Sequence, residues 1–150
     1  MNTMLKAIAS GFAGACALTL LHETARRFIP EAPRADILGM RAIAKGLRAA
    51  DQEPPADPEL HTLALGGDIL SNSIYYSLIG VSQGKGVPVL GAALGALAGV
   101  GAVTLPGPMG LGTAPSSRTP ATAAMTVGWY LFGGLVAAAA YEFLDKQLED

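Results

Sequence analysis

Between residues 86 and 141 the chain carries one charged side chain, Arg118. Apolar runs at 87–105 and 121–140 flank it, each close to the ~20 residues that a helix needs to cross a hydrocarbon core ~30 Å thick. The proline- and glycine-rich stretch 106–120 lies between them and reads as a turn joining two antiparallel membrane helices, at about 87–105 and 121–141. A buried helical hairpin in a soluble domain is the competing reading. It is disfavoured because helices of small soluble domains keep a polar face, and these runs have none.

Two further apolar segments precede this pair. The first predicts a helix over about 4–27, apolar from 7 to 21, with small residues four apart at Ala7/Gly11, Ser10/Gly14 and Gly11/Ala15. That spacing lets another backbone approach closely. His22, Glu23, Arg26 and Arg27 fall at its C-terminal end, where Glu23 and Arg27 have the i,i+4 order that favours a helical ion pair. Pro30 and Pro33 end it. Lys6 before the apolar stretch and the small residues around Cys16 imitate a signal peptide, but with one lysine the flank is weak, and a retained helix is expected.

The other segment, about 62–82, mixes apolar and polar positions. Asp68, Ser71, Asn72 and Tyr75 recur at i, i+3, i+4 and i+7 and form a polar stripe, while Leu63, Leu70, Ile74 and Leu78 occupy the opposite face. Such a helix fits a bilayer only if the stripe faces other helices or a wet cavity. Between these two segments, 36–50 has the pattern of an amphipathic helix. Ile37, Met40, Ile43, Ala44 and Leu47 share one arc, bordered by Arg41, Lys45 and Arg48. This suits a helix lying on a membrane surface with its basic side chains at anionic lipid headgroups; packing on the protein's own polar end is the alternative. Residues 51–59 (DQEPPADPE) read as an exposed acidic linker.

The fold class is therefore all-α: one polytopic membrane domain, a four-transmembrane-helix bundle with an amphipathic interfacial helix in the first loop. Composition agrees. Hydrophobic residues make up 51% of the 150 and charged residues 15%, against roughly 25% charged in soluble domains. Nineteen glycines point to close helix packing. Gly91, Gly95 and Gly99 stand in register, so one helix face is nearly bare backbone, suited to packing within the subunit or, less favoured, to a homo-oligomer or another membrane subunit. A net charge of −2 without a basic arm gives no sign of a nucleic-acid partner. The single cysteine, Cys16, excludes an intrachain disulfide.

Four crossings put both termini and the turn near Lys85 on one side, with Lys6 and Lys146. The other side holds Arg26, Arg27, Arg34, Arg41, Lys45, Arg48 and Arg118. Seven cations against three predict a cytoplasmic first loop and both termini outside, in what reads as a bacterial inner membrane.

Connectivity then gathers His22, Glu23, Arg26, Arg27, His61, Asp68 and Arg118 at one end of the bundle, near Ser71, Asn72 and Tyr75. A charged Asp68 in mid-bilayer costs ~3 kcal/mol on insertion scales, so it should be protonated or paired with Arg26, Arg27 or Arg118. His22, Glu23, His61 and Asp68 could offer metal ligands, but HExxH is absent because Thr24-Ala25-Arg26 follows His22-Glu23. Neither a metal nor a cofactor is expected. Ser71 and Ser73 lack a GxSxG context, and Gly84-Lys85-Gly86 is no P-loop.

The chain looks like the many small, Ala/Gly-rich, four-helix bacterial membrane proteins, and no motif matches a named family closely enough to carry residues over. Two functions remain open. One is a non-enzymatic subunit or interaction scaffold in the bilayer. The other is a small transporter, channel or lipid-headgroup-processing enzyme built around Asp68, Asn72, Glu23 and Arg118.

Overall fold

Asn2 opens the first helix by accepting the Leu5 amide on its side-chain oxygen at 2.9 Å, a use of one of the free N–H groups that every helix start leaves. The computed structural model describes residues 2–147. These are 78% helical, and no strand occurs among the described residues. The helices are α1 (Thr3–Ala25), α2 (Ala35–Ala49), α3 (Asp57–Tyr76), α4 (Val87–Thr104), a short α5 (Ala114–Ser117) and α6 (Pro120–Gln147). A 3-10 segment, Ser77–Ser82, extends α3.

Three of these, α1, α4 and α6, are long and apolar enough to cross a membrane. At 1.5 Å per residue, the 18 residues of α4 span about 27 Å. The longer α1 and α6 reach past that thickness at their ends.

Several boundaries differ from the sequence reading. Helix α3 begins at Asp57, inside the expected linker 51–59, because Pro58 suits the first turn and Asp57 and Glu59 meet the positive end of the helix dipole there. Its last turns tighten to 3-10, and the chain leaves through Gln83 in a left-handed conformation (φ 48°). Helix α1 stops at Ala25, and Arg26 to Ile29 continue as turns. The expected loop 106–120 contains α5. In the tail, α6 runs to Gln147, with residues 148–150 outside the described residues.

Adjacent long helices run antiparallel. Lys6 near the start of α1 pairs with Asp145 near the end of α6, Thr19 on α1 meets Asp68 on α3, and Gly91 and Gly99 on α4 face Gly134 and Val127 on α6. Both described ends of the chain and the 83–86 turn therefore share one end of the bundle. The connection from α1 to α3 and the α4–α6 loop share the other, called here the long-loop end.

The contacts between helices are backbone contacts. A methyl group at Gly95 would lie 2.6 Å from the Leu131 Cα and from the Tyr130 carbonyl oxygen, and one at Gly91 would lie 2.6 Å from the Gly134 oxygen. Gly11 abuts Ser73 and Ser77 of the α3 region, and Gly14 abuts Gly133 of α6. The Gly91, Gly95 and Gly99 face is thus occupied by α6 of the same chain. Inside, Leu18, Tyr76, Ile79, Val87, Ala137 and Tyr141 form the core.

Backbone cannot yield as a flexible side chain can. Gly95→Ala is expected to destabilise the bundle by about 1–3 kcal/mol, the usual cost of overpacking. Gly128, on an exposed side of α6 with nothing within 4 Å of an added methyl, gives the control: Gly128→Ala should be neutral or stabilise by ~0.5–1 kcal/mol through helix propensity. Thermal unfolding in detergent compares the two, and equal behaviour would refute the close-contact account.

Candidate functional site

The polar stripe of α3 turns mainly inward. Asp68 accepts from Thr19 Oγ1 of α1 at 3.0 Å through one carboxylate oxygen and from Asn72 Nδ2 at 2.9 Å through the other. Tyr75 donates its hydroxyl to the Leu94 carbonyl of α4 at 2.8 Å, and the neighbouring Tyr76 donates to the Tyr130 carbonyl of α6 at 2.7 Å. Ser71 stays exposed and donates to the Asp68 carbonyl within the helix. The stripe is therefore a set of bonds that ties α3 to α1, α4 and α6.

No arginine reaches Asp68 among the described residues, so of the two expected states, protonated or paired with an arginine, the pairing is absent. Arg26 lies seven residues beyond Thr19, about 10 Å along the α1 direction, and both Nε and Nη2 of Arg26 donate to Glu23 Oε2 (3.0 and 2.7 Å). Arg118 reaches across to the turn after α1, donating to the carbonyls of Pro30 (2.6 Å) and Ala32 (2.8 Å). Glu23 thus pairs with Arg26 and not with Arg27: the i,i+4 contact needs a helical backbone through Arg27, and α1 has already ended.

The basic border of α2 meets the loop after α4. Arg41 donates to the Leu111 carbonyl at 2.8 Å, and Lys45 to the Met109 carbonyl. Both hold the α4–α5 loop, which supplies carbonyls within reach. Arg48 is exposed. On its other side α2 packs on α3, with Gly39 over Ala64.

His22 is 3% exposed. Neither of its ring nitrogens has a hydrogen-bond partner among the described residues, and the ring packs against Trp129 and Tyr130 at centroid distances of 5.2 and 5.8 Å. His61 Nε2 stands 3.9 Å from Asp36 Oδ2, beyond hydrogen-bond reach. Among the described residues, no group of three or more His, Cys, Asp or Glu is arranged to hold a metal ion.

The sequence reading passed over the strongest ion pair. Arg34 forks onto Asp36, with Nε to Oδ1 at 2.8 Å and Nη2 to Oδ2 at 2.7 Å, and the Asp36 side chain is 4% exposed. The signal was an arginine placed two residues before an acid that opens a helix. Two threonine hydroxyls were missed as well. Thr122 donates to the Glu31 carbonyl (2.8 Å), and the buried Thr126 hydroxyl lies 2.7 Å from the Ser116 carbonyl. Thr119 Oγ1 caps α6 by accepting the Thr122 amide at 3.0 Å.

A cleft of about 340 Å³ opens between α2 and α3, lined by Gly39, Ile43, Asp68, Ser71, Leu111 and Tyr130 among others. It is where the stripe meets solvent. Comparison with protein-family models, curated proteins and solved structures finds no match, so the functional reading rests on these residues.

Burial raises the Asp36 carboxyl, but the hydrogen bonds and charge of Arg34, with Arg26 behind, outweigh it and hold its pKa below the ordinary 3.8. A carboxylate with a depressed folded-state pKa stabilises the fold above its ordinary value and loses that contribution as pH falls through the lowered one. The melting temperature of the wild type should exceed that of Asp36→Asn at neutral pH, and the gap should close only below the ordinary carboxylate range. A gap independent of pH would mean that charge is not its source.

Proposed function

We propose that the protein is a four-helix integral membrane protein that works without chemistry of its own, as a subunit or interaction scaffold. The observation that carries this reading is the dispersal of the polar residues. Glu23, Asp36, Asp68, Arg34, Arg41 and Arg118 each bond to another group of the same chain, and the three carboxylates are held apart, each by its own partners, instead of converging on one open centre. Groups engaged in this way orient and lock helices.

Helix α3 is the fourth crossing in this reading. Its outward face carries Leu63, Leu70, Ile74 and Leu78, all 47–63% exposed, which suits acyl chains. Its polar positions are matched by donors and acceptors on α1 and α4, which removes the main cost of placing them in hydrocarbon. Helix α2 then lies at the membrane surface on the long-loop end. The seven cations of that end assign it to the cytoplasm, with both termini outside.

Topology mapping tests the crossing and the orientation together. In a Cys16→Ser background, a cysteine at Gln83 should react with an impermeant maleimide on intact cells, and one at Gln52 only after permeabilisation. Labelling of both from one side would remove α3 as a crossing, and the reverse pattern would invert the orientation. The membrane assignment itself fails if the purified chain stays monodisperse without detergent.

The cleft beside Asp68 and Ser71 favours a second reading, a small transporter, channel or headgroup-processing enzyme; Glu23 and Arg118 are held outside that cleft. Asp68→Asn separates the two. It turns an amide toward a partner that already donates, so the scaffold reading expects a loss of about 1–3 kcal/mol in stability and a cellular function that declines only as far as the folded protein does. Full stability with loss of cellular function would favour the second reading.

A further inference from the structure

At the long-loop end, between the turn after α1 and the start of α2, lies an open recess of about 500 Å³. Its walls include Arg26, Arg27, Arg34, Arg41 and Arg118, and no carboxylate among the described residues lines it. Glu23 and Asp36 stand behind two of these guanidiniums, Arg26 and Arg34. The other three have no carboxylate within ion-pair distance among the described residues. With two of the five guanidiniums paired, three uncompensated charges remain around one opening, and an entering anion would relieve their mutual repulsion.

The arginines are also held in place. Arg26 and Arg34 are fixed by their carboxylates, Arg41 by the Leu111 carbonyl, and Arg118 by the carbonyls of Pro30 and Ala32. A guanidinium has five N–H donors in a planar fork, so each keeps donors beyond those it uses inward. Forks fixed in this way lose little freedom when they bind an oxyanion. At the rim, Phe28 is 78% exposed and Ile29 40%, apolar surface beside a charged cavity.

We propose that this recess binds a phosphate-bearing anion. Phosphate presents several oxygens to several guanidiniums at once and carries more charge than one carboxylate, which suits three unneutralised arginines. The volume exceeds what phosphate alone fills, and the apolar rim suits an ester substituent. The anion is therefore a phosphate ester, drawn either from an anionic lipid headgroup or from a water-soluble compound. This site shares Arg41 with the α2 border, whereas Lys45 and Arg48 do not line it. It also stands whichever reading of Asp68 holds.

The full-length protein, purified in detergent and freed of lipid, tests it with two probes. Inorganic phosphate is titrated and followed by thermal shift. In a second arm, the protein is placed in phosphatidylcholine nanodiscs with and without phosphatidylglycerol, and retained lipid is counted by native mass spectrometry. Stabilisation by phosphate identifies a soluble source. Selective retention of phosphatidylglycerol without a response to phosphate identifies a headgroup, and both responses together support the shared phosphate chemistry.

Arg27→Gln is the decisive variant, because Arg27 makes no side-chain bond within the described chain and its loss leaves the fold intact. It should weaken binding about tenfold, the loss of one charge-assisted contact, and the double variant Arg27→Gln/Arg41→Gln should weaken it further. Arg48→Gln removes the same charge outside the recess and should leave binding unchanged. Equal weakening by Arg48→Gln would reduce the effect to bulk charge and overturn the proposal, as would the absence of any response to both probes.

Discussion

The fold depends on bare backbone meeting bare backbone. In hydrocarbon, burying a leucine between helices gains little over leaving it against lipid, so helix association relies on dispersion contacts and on bonds between polar groups. Gly91, Gly95 and Gly99 allow α4 to lie directly on α6, while Gly11 and Gly14 bring α1 onto α3 and α6. Large apolar side chains are displaced outward as a result: Phe12, Leu20, Leu70, Val89 and Leu97 are all more than half exposed. In water that surface would drive aggregation. In a bilayer it is the solvated face.

Close approach makes the polar bonds possible. Tyr75 and Tyr76 reach main-chain carbonyls on α4 and α6 because no bulky layer separates the helices. The Asp68 carboxylate, costly in isolation, sits where Thr19 and Asn72 supply a donor to each oxygen. Packing and polar satisfaction are thus one arrangement. A side chain large enough to push α1 from α3 at Gly11 would also draw Thr19 away from Asp68.

Much of this was legible in the sequence, for a physical reason. Period and composition are set by the surroundings of a whole helix, so the apolar runs of α1, α4 and α6 and the two-faced pattern of α3 could be read from the chain. Side-chain pairing depends on where a helix ends and on what a distant loop offers. Ending α1 at Ala25 instead of Arg27 moves Glu23 from one arginine to another. Nothing local to Arg118 signals the carbonyls of Pro30 and Ala32, more than eighty residues away. Connectivity did bring the charged residues to one end of the bundle, where five arginines share a recess that Asp68 and His61 do not line.

Their dispersal has a common cause. Helices α1 and α4 both end at the long-loop end, and each helix C-terminus leaves carbonyls without intrahelical partners. The turn after α1 and the loop after α4 add more. Carbonyls near a membrane surface compete poorly for water, so they draw on long cationic side chains with several donors. Arg118 meets the first of these turns, while Arg41 and Lys45 meet the second. The cations that weight this end with positive charge therefore also close its loops. Once that work fixes their guanidiniums around a common opening, the concentration of positive charge in the recess follows from how the helices end.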